Sequence, residues 1–248
     1  MRILQLSDLH LPAPHQPMPV PGPAREAYLE RLGDALREIP ADLVVLSGDL
    51  AATDPSDDVY EELAALLARC AGGRPVVAIP GNHDVGASLE RWFPAPGEIL
   101  SRGPDHCLAV VVAGQRLHFL DSGPGVVAPD ALGWLRTEVA AAADRVYLFM
   151  HHPPLLAGVP FMDRNYPLAN RDDVLAVLEA APTGVAVFCG HYHCAREVVR
   201  GQVSVHIAPS TLFQLDPEAE GLALLHTPPA CRLVEIHECG YRTWLREL

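Results

Sequence analysis

The sequence predicts an α/β fold built on two β-sheets, and three observations carry that expectation. Short apolar runs alternate with segments whose apolar residues recur at helical spacing, the pattern of an α/β domain. Hairpin signals gather in the second half of the chain, which gives that half more antiparallel character. Five of the strand-like runs end in polar clusters, placed where open α/β sheets bind ligands, at the carboxyl ends of strands.

The elements follow in order. Residues 3–6 form a first strand, and a loop containing Pro12, Pro14, Pro17, Pro19, Pro21 and Pro23 leads to a helix over 24–38. In that helix Tyr28, Leu32, Ala35, Leu36 and the following Ile39 share one face. Residues 43–46 make a second strand, 57–69 a second helix and 76–79 a third strand. The runs 108–112 and 117–120 flank Ala113-Gly114-Gln115 as a hairpin. A helix over 129–142 leads to a strand over 146–150, and a helix over 171–180 to a strand over 185–189. Two hairpins close the chain, 197–199 with 203–207 and 232–237 with 241–245 around Cys239-Gly240. No linker, low-complexity tract or internal repeat interrupts this order, so residues 1–248 are expected to form one domain.

Composition excludes several kinds of function. The 248 residues carry 31 acidic and 18 basic side chains, a formal charge of −13, and every basic residue is arginine. Without lysine there is no Schiff-base nucleophile and no P-loop phosphate cradle. The negative charge and the lack of clustered cations argue against nucleic acid and anionic membranes as partners. Apolar runs such as 107–113 fall far short of the roughly 20 residues of a transmembrane helix. Asp8 and His10 break the first apolar stretch before a signal-peptide core develops, so a cytoplasmic protein is expected. The six cysteines form no CxxC pair and fit small buried hydrophobes in a reducing compartment. A homo-oligomer through the C-terminal hairpin is compatible with the sequence.

The chemistry concentrates in the five clusters: Asp8-Leu9-His10, Gly48-Asp49, Gly81-Asn82-His83-Asp84, His151-His152 and Gly190-His191-Tyr192-His193. Alone, a DxH or GD is most often a turn or a helix cap. Five in order, each after an apolar strand, point to one convergent site. In extended chain, residues two apart share a side, which pairs Asp8 with His10 and His191 with His193. Glycines 48, 81 and 190 permit backbone angles or close approach that a Cβ would obstruct. The clusters contain three Asp, one Asn and six His, with no thiolate, which suits Zn, Fe, Mn, Co or Ni. So many ligands fit two ions about 3.5–4 Å apart sharing a carboxylate, able to turn a bridging water into hydroxide and neutralise a phosphoester. His15, His106, His118, His206, His226 and His237 lack such a pattern and are expected to be surface or core histidines.

In these blocks the sequence resembles the calcineurin-like metallophosphoesterase superfamily, whose pattern runs D-x-H, GD, GNH[DE], H and GHxH. The stretches at 149–155 (FMHHPPL), 188–193 (FCGHYH), 167–171 (PLANR) and 208–211 (APST) are similar to its class III cyclic nucleotide phosphodiesterase and glycerophosphodiesterase branch. The resemblance implies a four-layer α/β/β/α sandwich of two mixed sheets with a dinuclear site at the strand ends. It implies that Asp8, His10 and His193 bind one ion, that Asn82, His151 and His191 bind the other, and that Asp49 bridges. His83 would contact the phosphate or protonate the leaving oxygen, and Asn82 would also touch the phosphate. His151 takes the ligand position, with His152 the alternative. Among Fe, Mn, Zn and Co, iron and manganese are favoured.

Departures from the pattern narrow the activity. Gly48-Asp49 continues as Leu50-Ala-Ala-Thr53 rather than the arginine-bearing block of protein phosphatases, and neither DNA-binding segments nor a basic membrane-docking face is evident. The expected function is hydrolysis of a small phosphodiester, foremost a 3′,5′-cyclic nucleotide such as cyclic AMP. The alternatives are glycerophosphodiester hydrolysis, a broad-specificity phosphoesterase, and a non-catalytic scaffold, which filled ligand positions disfavour. Residues 161–167 form a loop after the histidine pair, where Arg164, Asn165 and Tyr166 can meet the substrate's organic group.

Overall fold

A computed structural model describes residues 1–53 and 56–248. The first half runs β1 (Arg2–Leu6), α1 (Arg25–Glu38), β2 (Leu43–Ser47), α2 (Asp57–Cys70), β3 (Val76–Ile79), α3 (Gly86–Trp92), β4 (Glu98–Arg102), β5 (Leu108–Val112) and β6 (Gln115–Leu120). The second half runs α4 (Pro129–Ala140), β7 (Val146–Met150), α5 (Pro160–Asn165), α6 (Arg171–Glu179), β8 (Val185–Cys189), β9 (Arg196–Arg200) and β10 (Val203–Ile207). It ends with β11 (Gln214–Leu215), β12 (Leu224–Leu225), β13 (Ala230–His237) and β14 (Gly240–Glu247).

The strands form a five-stranded sheet in the order β14-β13-β1-β2-β3 and a seven-stranded sheet in the order β4-β5-β6-β7-β8-β10-β9, with β11 and β12 paired apart. Both large sheets are mixed. Strands β1, β2 and β3 are parallel, as are β6, β7, β8 and β10, while the hairpins at the edges are antiparallel.

Strand alternation builds the layers. On β1 and β2, Leu4, Leu6, Val44 and Leu46 pack with Tyr28, Leu32, Leu36, Leu63 and Leu67 of α1 and α2. Ile3, Leu43 and Val45 point the other way and meet Val110, Leu117, Phe119, Phe149 and Phe188 of the second sheet. Phe119, Phe149 and Phe188 stack across β6, β7 and β8 with centroids 5.3 and 5.1 Å apart. The outer face of that sheet, through Leu148, Met150, Val187 and Val205, packs on Leu135, Val139, Val174 and Leu178 of α4 and α6. Helices, sheet, sheet and helices therefore follow one another as four layers. One polar residue joins the sheets near the site: buried Gln5 donates from Nε2 to the Cys189 carbonyl at 3.0 Å and to Ser47 Oγ at 2.9 Å.

The structure corrects the sequence reading in several places. The stretch expected as a loop over 161–167 begins as helix α5. Pro160 opens it with a preset φ, and the Asp163 carboxylate accepts the N–H groups of Ala157 and Val159, both at 3.0 Å. Helix α3 and strands β4, β11 and β12 are additional to the elements the sequence predicts; they are short, and the exposed β4 has little apolar pattern. Cys239 is exposed, whereas the other five cysteines are buried as expected. Among the described residues no helix is long and apolar enough to cross a membrane.

Candidate metal centre

The carboxyl ends of β1, β2, β7 and β8 deliver Asp8, His10, Asp49, His151, His191 and His193 to one place. Asp8, His10, Asp49 and His193 form one group, and Asp49, His151 and His191 another; within each, potential ligand atoms lie within 4.8 Å of one another and every residue is buried. Asp49 belongs to both groups. Its Oδ2 is 3.6 Å from His10 Nε2 and 3.4 Å from His151 Nε2, while His193 Nε2 is 3.4 Å from Asp8 Oδ1.

The chain reaches this arrangement through left-handed turns. Asp8, His10, Asp49, His191 and His193 have φ of 52, 42, 52, 71 and 48°, a region that non-glycine residues seldom occupy and that concentrates at functional sites. This corrects the expectation of extended pairs. Asp8 and His10 do share a group, but His191 and His193 divide between the two, with Tyr192 between them buried and donating to Asp163 at 2.9 Å. Close packing also explains two of the glycines. A Cβ on Gly81 would lie 2.1 Å from Asp49 Oδ1, and one on Gly190 would lie 1.9 Å from Ser7 Oγ and 2.6 Å from Asp8 Oδ2.

Protonation identifies which atoms face inward. His151 Nδ1 donates to the Ser47 carbonyl at 2.9 Å, because a carbonyl only accepts. Its Nε2 is buried without a hydrogen-bond partner and points at the Asp49 carboxylate 3.4 Å away, so it holds a proton in the free protein and would present a lone pair once a cation displaced that proton. Such an orphan suits a cation, and the carbonyl behind it fixes the tautomer as metal sites require. His191 donates from Nε2 to the Tyr166 carbonyl at 2.9 Å, leaving Nδ1 free, and His193 Nδ1 lies 3.3 Å from the Phe213 carbonyl. His10 and His193 bring their Nε2 atoms within 3.0 Å of each other.

Burial pushes His10 down to about 4 and His191 to about 3, and holds His193 well below the usual range, so all three are neutral at pH 7, as a metal-ligating imidazole must be. Burial pushes the Asp8 carboxyl up to about 7, with Asp49 adding to the rise and His151 opposing it. At Asp49 burial is outweighed by His151 and His10, which hold its carboxyl well below the ordinary value. At His151 burial is outweighed in turn by Asp49 and Asp8, which raise the imidazole to about 9. A proton therefore occupies His151 where a cation would otherwise balance the carboxylates.

The remaining candidates lie around this centre. His83 stands outside both groups; its N–H donates to Asp49 Oδ1 at 2.9 Å and its ring lies 5.0 Å from that of His10. Asn82 is exposed, and among the described residues no hydrogen bond holds its side chain. His152 is buried against Ser122 Oγ, with its ring 4.1 Å from His191, and joins neither group. Arg164 is exposed at the end of α5, paired with Glu220. A cavity of about 730 Å³ at the opposite, amino ends of β1 to β3, lined by Arg2, Arg37, Arg69 and Arg74, contains none of the candidate ligands.

Several residues that hold the site together carry no catalytic pattern in the sequence. The Asp84 carboxylate accepts from the N–H groups of Leu50, Ala51 and Gly81 and from the Tyr60 hydroxyl, at 2.9 to 3.2 Å. It thereby ties the loop after Asp49 to the loop of Asn82 and His83. Asp84→Asn would turn a donor amide toward these donors and is expected to cost about 1–3 kcal/mol of stability. A lowered urea midpoint measures this; an unchanged midpoint would refute it. Ser210 and Thr211 are a second tie: Ser210 Oγ donates to the Asp8 carbonyl at 2.7 Å, and the Tyr28 hydroxyl meets Thr211 Oγ1 at 2.8 Å and the Leu9 carbonyl at 2.9 Å. A sixth polar cluster, Asp121-Ser122 after β6, carried the same strand-end signal as the other five.

Comparison with known proteins agrees with this geometry. The pattern of the calcineurin-like phosphoesterase family matches residues 1–195. A probable cyclic nucleotide phosphodiesterase of Fibrobacter succinogenes is 36% identical over 195 residues, 78% of this chain and 74% of that one. The glycerophosphodiester phosphodiesterase GpdQ of Enterobacter lignolyticus is 32% identical over 80% of this chain and 73% of its own length. The 3′,5′-cyclic adenosine monophosphate phosphodiesterase CpdA of Escherichia coli is 29% identical over 98% of this chain and 88% of its own. Among solved structures, a dimetal phosphatase from Danio rerio superimposes with a TM-score of 0.64 at 15% identity, covering 99% of this chain and 98% of that one, which supports the shared fold. With a family match that spans most of its length, the chain belongs to the calcineurin-like phosphoesterase family.

Proposed function

We propose that this phosphoesterase hydrolyses a small phosphodiester, foremost a 3′,5′-cyclic nucleotide such as cyclic AMP, at a dinuclear centre. The observation that carries this reading is Asp49, whose one carboxylate belongs to two buried ligand groups. Asp8, His10 and His193 would hold one ion and His151 and His191 the other, with Asn82 completing the second set. Iron or manganese is favoured, although zinc and cobalt suit the same donors. Two such ions would supply positive charge for the phosphate and lower the pKa of an attacking water.

The chain's own residues do the rest. Asp49 sets the spacing of the two groups. His83, fixed through its backbone to Asp49 but outside the ligand groups, has a ring available to protonate the departing ester oxygen. Asn82, exposed beside it, is placed to donate to a phosphate oxygen. A chain of charge −13 without lysine has few other ways to hold an anion.

Glycerophosphodiester hydrolysis is the second reading, favoured by the likeness to GpdQ. Both readings take residues 1–248 as one domain acting in the cytoplasm. The test is a panel of cyclic AMP, cyclic GMP, 2′,3′-cyclic nucleotides and glycerophosphodiesters, offered to manganese-loaded and to chelated protein. Turnover of a cyclic nucleotide that vanishes on chelation and returns with manganese is expected. Hydrolysis that survives chelation would overturn the reading, and two bound metals without turnover of any diester would favour a scaffold.

A further inference from the structure

Phe213 is a half-buried aromatic ring set directly against the candidate centre. Its centroid lies 4.4 Å from the His193 ring and 5.6 Å from the His10 ring, and its carbonyl lies 3.3 Å from His193 Nδ1. The segment beneath it is fixed by buried polar contacts. Ser210 Oγ accepts the N–H groups of Leu212 at 3.0 Å and Phe213 at 3.2 Å while donating to the Asp8 carbonyl. Gln214 clasps the same serine from the other side, its Nε2 donating to the Ser210 carbonyl and its Oε1 accepting the Ser210 N–H. This hydroxyl-centred turn leaves the ring little freedom to move away.

A phenyl ring held rigidly beside a phosphate-binding centre offers no hydrogen bond to hydroxyl groups. The ring packs against two of the hydrophobic cores and the two histidines yet stays only half-buried, so its exposed part is an apolar surface of the kind on which nucleobases stack regardless of sequence. We infer that Phe213 is the specificity-determining wall of the site, stacking on the base of a nucleotide whose phosphate lies at the metal centre. The inference deepens the phosphodiesterase reading and rests on the placement of phosphate there. Glycerol or another ring-free alcohol gains nothing from this wall, so the residue would favour base-bearing diesters.

The test is calorimetric binding of three phosphate compounds to the manganese-loaded protein: AMP, ribose 5-phosphate and inorganic phosphate. AMP is expected to bind about ten-fold or more tightly than ribose 5-phosphate, the effect of one stacked base. Phe213→Leu should remove that advantage while leaving ribose 5-phosphate and phosphate within about two-fold of their original affinities, and Phe213→Trp should restore it. Equal binding of AMP and ribose 5-phosphate by the unaltered protein would overturn the inference. So would a Phe213→Leu protein that weakens all three alike, which would mark the ring as mere support for His193. An enzyme that hydrolyses diesters but shows no base preference would lose this inference alone. Base-selective binding without diester hydrolysis would keep it and overturn the phosphodiesterase reading.

Discussion

Asp49→Ala is expected to empty the proposed metal centre and lower diester turnover by about 10³-fold or more, since the two-ion charge it would anchor is worth several kcal/mol at the transition state. The reason is topological: among the described residues, Asp49 is the one carboxylate shared by both candidate ligand groups. Without it, His10 and His193 are neutral rings whose Nε2 atoms face each other at 3.0 Å with no anion of Asp49 to draw a cation between them. His151 also loses the partner most responsible for raising it to about 9, so its proton leaves and the buried charge pair disappears as a unit. Asp49→Asn keeps the side-chain shape and separates lost charge from lost packing. Both variants are expected to remain folded by circular dichroism while emission spectroscopy finds them depleted of metal. Full metal content with full turnover in Asp49→Ala would refute the dinuclear arrangement. The proton balance adds a sign. At pH 7 the free protein carries a proton on His151, raised from 6.5 to about 9, and binding an ion there must expel it. Metal affinity should therefore weaken as pH falls, and calorimetry of metal binding in buffers of different ionisation enthalpy should show proton release by the unaltered protein.

Much of this was legible in the sequence because parallel strands with apolar interiors announce both themselves and their carboxyl ends. The strands at 76–79, 146–150 and 185–189 fall where apolar runs placed them. The clusters after the strands at 3–6, 43–46, 146–150 and 185–189 converge on one centre. What stayed hidden has physical causes. Helix α5 is a single short turn stabilised by Pro160 and the Asp163 carboxylate rather than by any apolar period. The left-handed backbone of five candidate ligand positions leaves no periodic trace, so spacing alone read His191 and His193 as an extended pair on one side. Asp84 and Ser210 fall within stretches the sequence marks, but their bonds run between loops far apart in sequence, which residue spacing does not reveal. Phe213, a lone aromatic after β10, carries no motif; only its contact with two histidines gives it meaning.

His83→Gln is expected to retain both metals and yet lower kcat about 10²–10⁴-fold on a substrate whose leaving alkoxide needs a proton, the usual contribution of a positioned general acid. Retention follows from geometry: His83 belongs to neither ligand group and touches Asp49 through its backbone N–H at 2.9 Å, which glutamine preserves. The loss follows from chemistry. A ribose oxygen leaves as a strongly basic alkoxide unless it is protonated as the P–O bond breaks, whereas a nitrophenolate leaves as a stable anion. The defect should thus be large for a cyclic nucleotide and small for a bis-nitrophenyl diester. In a series of leaving groups the variant's kcat should depend far more steeply on leaving-group basicity than that of the unaltered enzyme. A purely structural role would slow all substrates by one factor and leave that slope unchanged, which would overturn the assignment. Loss of metal from His83→Gln would overturn it differently, by making His83 a ligand. Asn82 supplies the contrast: on the proposed reading it would donate to the phosphate and complete the second set, so Asn82→Ala should lower kcat/KM for every leaving group alike, without altering the slope.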